Sequence, residues 1–83
     1  MQASELYQAI ATPEVFKDIM TRKGDAISDI MDKYDLRSRG VWVHTESIFT
    51  FNMEDGFVDI VPYESCIELY NPEGKLLIGN YFD

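Results

Sequence analysis

Cysteine, histidine and tryptophan each occur once in the 83 residues. A lone Cys66 excludes an intrachain disulfide and a cysteine-rich zinc site, and such usage fits a reducing interior compartment. Basic residues are scarce as well: seven Lys and Arg stand against fifteen Asp and Glu, for a net charge of −8. Phosphates would be repelled by such a chain, so neither direct nucleic-acid binding nor adsorption to an anionic membrane is expected. No apolar run approaches the roughly 20 residues that span a bilayer. Residues 1–10 show neither a basic leader nor a continuous apolar stretch, and a cytoplasmic protein is expected. The glycines at 24, 40, 56, 74 and 79 are scattered over different turns and a strand, so no Gly-rich phosphate loop is present. There is no internal repeat, low-complexity tract or linker to split the chain.

What is present argues for one folded domain over residues 1–83. A hydrophobic share of 46% and an aromatic share of 13% are too high for disorder. The length allows a single core of modest size. Charge divides the chain in two. Residues 1–40 hold seven acids and six bases, a net of −1, whereas residues 41–83 hold eight acids and Lys75 alone, a net of −7.

The near-neutral half reads as helical. Ala3, Leu6, Tyr7 and Ile10 recur at helical spacing and predict a short helix over 4–11. Thr12 then has the form of an N-cap with Pro13 at the first helical position, followed by the apolar stripe Val15, Phe16, Ile19 and Met20. Arg22, Lys23 and Gly24 resemble a helix end in which Gly24 takes the left-handed conformation, with Asp25 capping a third helix that carries Ile27, Ile30, Met31 and Tyr34. A single helix over 13–35 fits the same residues through the stripe Met20, Gly24, Ile27, Met31 and Tyr34, and both readings stay open.

The acidic half reads as strands. Residues 47–61 carry the clearest local signal: two runs rich in β-branched and aromatic residues flank a turn at 53–56, whose Gly56 can take φ > 0. Alternation over 41–52 predicts a long first strand. The return strand is 57–61, a corner follows at 62–65, the third strand is 66–70, a Pro and Gly turn lies at 71–74, and the fourth strand is 75–82. The fold class expected is α+β, with two or three N-terminal helices packed on one face of a four-stranded antiparallel meander. By parity the core face collects Val41, Val43, Phe49, Phe51, Val58, Ile60, Ile67, Leu69, Leu76 and Ile78. The other face collects Trp42, His44, Glu46, Thr50, Asp59, Glu68, Tyr70, Lys75 and Tyr81, together with Phe57, Val61 and Leu77.

Three groups of residues have the composition of a chemical site. His44, Cys66 and Asp59 are the residue types of a nucleophilic triad, but no spacing supports one, and a Cys inside a β-run is more often a small buried hydrophobe. Asp25, Asp29 and Asp32 line one stripe of a continuous helix and would suit a divalent cation, yet acidic helix faces are common and a solvated face, with Asp25 as a cap, explains them better. Arg22, Lys23, Arg37 and Arg39 around helices and a hairpin suggest a winged helix, but Asp29, Asp32 and Asp35 would repel phosphates from its recognition helix. No catalytic residue, metal or cofactor is expected.

The remaining signal is an acidic and aromatic sheet. Carboxylates on a rigid sheet stand a few ångströms apart and can substitute for phosphates in a partner's basic groove. The candidate contacts are Glu46, Glu54, Asp55, Asp59, Glu64 and Glu68, with Trp42, Tyr70 and Tyr81 as aromatic anchors. The expectation is a non-enzymatic binding module that blocks the basic nucleic-acid-binding surface of a partner protein, by analogy of size and charge with small acidic phage proteins that act against host defences. The alternative is a self-associating structural or regulatory domain, a homodimer built through a helix stripe or an extended sheet.

Overall fold

A computed structural model describes residues 1–37 and 48–82. Within them α1 (Ala3–Ile10), α2 (Pro13–Arg22) and α3 (Gly24–Lys33) precede β1 (Phe49–Met53), β2 (Gly56–Val61), β3 (Cys66–Tyr70) and β4 (Leu76–Tyr81). The strands form one antiparallel sheet in the order β1-β2-β3-β4. The α+β class and the meander agree with the sequence reading.

The helix nearest the sheet is α1, which buries Ala3, Leu6, Tyr7 and Ile10 against β1, β2 and β3. Two carboxylates take up donors at its start, where backbone N–H groups lack helical partners. Glu5 accepts from the Gln2 N–H at 3.0 Å, and Asp55, from the tip of the first hairpin, accepts from the Ala3 N–H at 2.7 Å. The helix is thereby fastened to the sheet by its capping chemistry.

In α2, the Thr12 hydroxyl accepts from the Val15 N–H at 3.3 Å and Pro13 opens the first turn, as expected. Phe16 and Ile19 are buried, but Met20 is 43% exposed. The chain breaks between α2 and α3, which excludes one helix over 13–35. The residue that turns it is Lys23, at φ 53° and ψ −118°, rather than Gly24, which is the first residue of α3. Asp25 does not cap that helix; it lies in the first turn, and the N-cap position belongs to Lys23. Arg22 spans the break, its Nε and Nη2 donating to the Asp18 carboxylate and its Nη2 to Asp29, each at 2.7 Å. This clamp holds together the elements that Lys23 reverses.

The first hairpin turns through Glu54 and Asp55, with Met53 paired to Gly56. Gly56 is required here: its φ is +144°, and a Cβ would stand 2.2 Å from the Tyr70 carbonyl oxygen. The loop before β4 is built on Asn71, whose side-chain oxygen accepts from the Glu73 and Lys75 N–H groups at 3.0 and 2.8 Å while Gly74 sits at φ 88°.

Leu6, Ile10, Ile19, Ile27, Phe51 and Ile60 are among the fully enclosed side chains between helices and sheet. Phe51, Val58, Ile60, Ile67 and Leu69 occupy the core face as parity predicted, with Phe49 half-buried. The assignment of Leu76 and Ile78 to the core is overturned: each is 49% exposed. A register shift between Leu69 and Tyr70 pairs Leu76 with Tyr70, which lies on the opposite face, so a simple alternation fails at the start of β4. Ile78 keeps the predicted side, but it lies on the outermost strand, away from β1, β2 and β3, where α1 packs. The first strand was expected over 41–52; Val41, Val43 and the rest of 41–47 lie outside the described residues.

Candidate functional site

Alternation along the strands sets the face of the sheet away from the core. Thr50, Asp59, Glu68 and Gly79 form one cross-strand row there, each paired in register with the next. Asp59 and Glu68 are thus directly opposed carboxylates on neighbouring strands, a pairing that disfavours the sheet. Their hydrogen-bond partners among the described residues are neutral hydroxyls: Thr50 donates to Asp59 at 2.7 Å and Tyr70 to Glu68 at 3.0 Å. Beside them the rings of Phe57 and Tyr70 stack at 4.8 Å, and Tyr81 is 70% exposed.

Nearby groups register the negative field. Burial first, and then Glu68, Glu64 and Asp59, push the Cys66 thiol up to about 11. Burial, the hydrogen bond to Glu68 and the charges around it push the Tyr70 hydroxyl up to about 12. Tyr7 is raised as well, chiefly by burial, with Cys66 and Glu68 adding to it, and its enclosed hydroxyl has no hydrogen-bond partner among the described residues.

The candidates chosen from sequence therefore separate. Asp59, Glu68, Tyr70 and Tyr81 come together on the outer face. Glu64 is exposed at the Pro62–Glu64 corner and acts on Cys66 through its charge. Glu54 is exposed in the hairpin turn, while its neighbour Asp55 is engaged as the cap of α1. Trp42, Glu46 and His44 lie outside the described residues. Thr50, Phe57 and Val61 keep the parity expected of this face, but Thr50 and Val61 are buried and Phe57 is half-buried, so the face is partly covered rather than uniformly exposed.

Elsewhere acids and bases neutralise one another. Asp29 holds Arg22 and Asp32 holds Arg37, each at 2.7 Å, so two members of the Asp25, Asp29 and Asp32 stripe already carry guanidinium partners. The Arg22 hydrogen bonds hold the Asp18 carboxyl below its usual range. Among the described residues no group of three or more His, Cys, Asp or Glu is placed to hold a metal ion, and no helix is long and apolar enough to cross a membrane. An open cleft floored by Ile10, Val15, Ala26 and Ile30 has a volume of about 270 Å³, and two of its three acids, Asp18 and Asp29, bind Arg22 while Glu14 is the third. Comparison with known protein families, curated proteins and solved structures finds no match to this chain.

Proposed function

We propose that this chain is a non-enzymatic binding module whose outer sheet face occupies a basic, nucleic-acid-binding surface on a partner protein. The observation that carries the reading is the opposed pair Asp59 and Glu68, which costs the sheet stability and is bonded only to neutral hydroxyls among the described residues. Two carboxylates on adjacent strands, about 5 Å apart at the backbone, form a rigid anionic row of the kind a phosphate-binding groove accepts. The stacked Phe57 and Tyr70 and the exposed Tyr81 add aromatic contact area beside it. The helical half contributes little net field because Arg22 and Arg37 are paired to acids. A non-enzymatic role agrees with Cys66, buried and held protonated at neutral pH, the reverse of an activated thiolate. A free buried thiol also suits a cytoplasmic setting.

The test immobilises the intact chain, captures binding proteins and challenges them with rising salt and with duplex DNA. The expected result is a bound protein that nucleic acid displaces, that salt releases, and that the double variant Asp59→Lys/Glu68→Lys fails to retain, while Asp25→Lys behaves as the parent. Binding that neither salt nor nucleic acid disturbs would refute the reading.

A further inference from the structure

The strand β4 is the open edge of the sheet, hydrogen-bonded to β3 alone among the described residues. All six of its residues are exposed, with Leu76, Leu77, Ile78 and Tyr81 at 49%, 56%, 49% and 70%. Monomeric sheets blunt such edges with charges, prolines or cover. Residues 76–82 contain no charge and no proline, in a half of the chain whose net is −7. The register shift at Leu69 and Tyr70 disturbs only the start of the strand.

The free backbone groups can be located. The Phe82 N–H donates to the Ser65 carbonyl at 2.7 Å. In an antiparallel ladder successive residues alternate between facing the partner strand and facing away, so Asn80 and Ile78 also turn towards β3. The N–H and C=O groups of Gly79 and Tyr81 then point out of the sheet.

We propose that β4 pairs antiparallel with β4 of a second copy of this chain, about a two-fold axis at Asn80. This register joins Gly79 of each copy to Tyr81 of the other through all four outward N–H groups and their carbonyls. It lays each Tyr81 ring beside the facing Gly79, against which the Glu68 stem already lies, the arrangement by which aromatic residues compensate a glycine in a sheet. It sets the two Asn80 amides side by side and Ile78 against Phe82. Residues 78–82 are thus self-complementary in hydrogen bonding and in shape, which selects a second copy over an unrelated strand. Charge leads to the same face: two chains of −8 repel, and β4 is a surface where they meet without opposing carboxylates.

The side chains on this edge offer on the order of 400 Å² per copy, about half the ~800 Å² of a standard interface. The dimer is therefore reversible, with a Kd on the order of 10–100 µM. It does not rest on the proposed function, because its contacts are edge backbone and apolar side chains rather than Asp59 and Glu68, and Tyr81 is the one side chain that the two surfaces share.

Sedimentation velocity on the full chain from about 1 to 500 µM spans that range. The expected result is a monomer–dimer equilibrium that tightens with salt, and in NMR spectra the Gly79 and Tyr81 amides shift with concentration. Asn80→Asp faces two carboxylates across the axis and should weaken the dimer at least about tenfold at low salt. Tyr81→Pro removes an outward N–H that has no partner among the described residues, and should abolish the dimer while the sheet still folds, as circular dichroism would report. A monomer at every concentration overturns the proposal, as does a dimer that survives both substitutions. If a monomeric chain has these two amides protected by a different protein, the edge belongs to that protein and the proposal again fails.

Discussion

Glu68→Gln separates the cost of the outer face from its use. The substitution removes one of two carboxylates opposed across β2 and β3. It leaves an amide oxygen to accept from the Tyr70 hydroxyl, now 3.0 Å from the carboxylate, and it preserves the stem that lies against Gly79. Like charges directly opposed on neighbouring strands disfavour a sheet by up to about 0.8 kcal/mol, and this pair is only partly open to solvent. The variant should therefore be more stable by up to that amount, and for a domain of this size the melting temperature should rise by about 3–6 °C. The charge must be the cause, so the gain measured by calorimetry at low ionic strength should shrink near 1 M salt, where the Debye length falls to about 3 Å. Glu73→Gln, in the exposed turn before β4, is the control and should change little. A destabilised Glu68→Gln, or a gain indifferent to salt, would show that the opposed carboxylates are not a strained pair. If instead the variant is more stable and yet binds the basic partner less well, the repulsion is a stability cost borne for binding.

The other predictions concern the frame. Lys23→Gly should stabilise the chain by about 1 kcal/mol, read from denaturant melts, because φ 53° and ψ −118° are strained for a residue with a Cβ and open to glycine. Gly56→Ala should cost at least about 3 kcal/mol, since it combines backbone strain with a collision at the Tyr70 carbonyl; against the ~4–12 kcal/mol expected of a domain this size, the melting temperature by circular dichroism should fall by at least about 12 °C. Stability should also fall in alkali. Cys66 and Tyr70 have folded pKa values raised above their ordinary 9.0 and 10.0, so their contribution is complete below pH 9 and is lost as pH rises from 9 to about 12. Denaturant titrations should show this decline, and Cys66→Ala should flatten it between pH 9 and 11; an unchanged slope would remove Cys66 from the account.

The order of elements was legible because local signals agreed with the fold. Pro13 after Thr12, the alternation of residues 57–61 and the Asn71 turn each matched the structure to within a residue or two. The failures have specific causes. Gly24 was given the left-handed position because glycine tolerates it most cheaply, but the chain reverses one residue earlier, with Arg22 holding Asp18 and Asp29 across the strained Lys23. Leu76 and Ile78 were placed in the core because hydrophobicity and parity are all that a strand shows in sequence. Neither reveals a register shift, nor that the strand lies at an edge. Of the candidate site, Asp59 and Glu68 were selected for their charge, but their direct opposition depends on a pairing register that only the fold supplies. Asp55 was selected on the same ground, and its carboxylate proved to be spent on the first turn of α1.

The acidic face and the β4 edge answer to salt with opposite signs, which makes ionic strength the most informative variable. Binding by Asp59 and Glu68 to a basic groove is a charge attraction and weakens as salt rises. Pairing of β4 with β4 brings together two chains of like charge through apolar side chains and backbone, and it tightens as salt screens their repulsion. Tyr81 belongs to both, since its ring stands on the acidic face and would lie over the facing Gly79 in the dimer. If the two uses compete for this ring, low salt and dilute protein favour the bound monomer, and high salt favours the free dimer. Asn80→Asp should resolve the matter: it sets two carboxylates against each other across the two-fold axis of the dimer, while it leaves Asp59, Glu68 and Tyr70 in place. Partner binding that persists in this variant would assign the acidic face to the monomer, and partner binding lost with the dimer would make the two-fold assembly itself the binding unit.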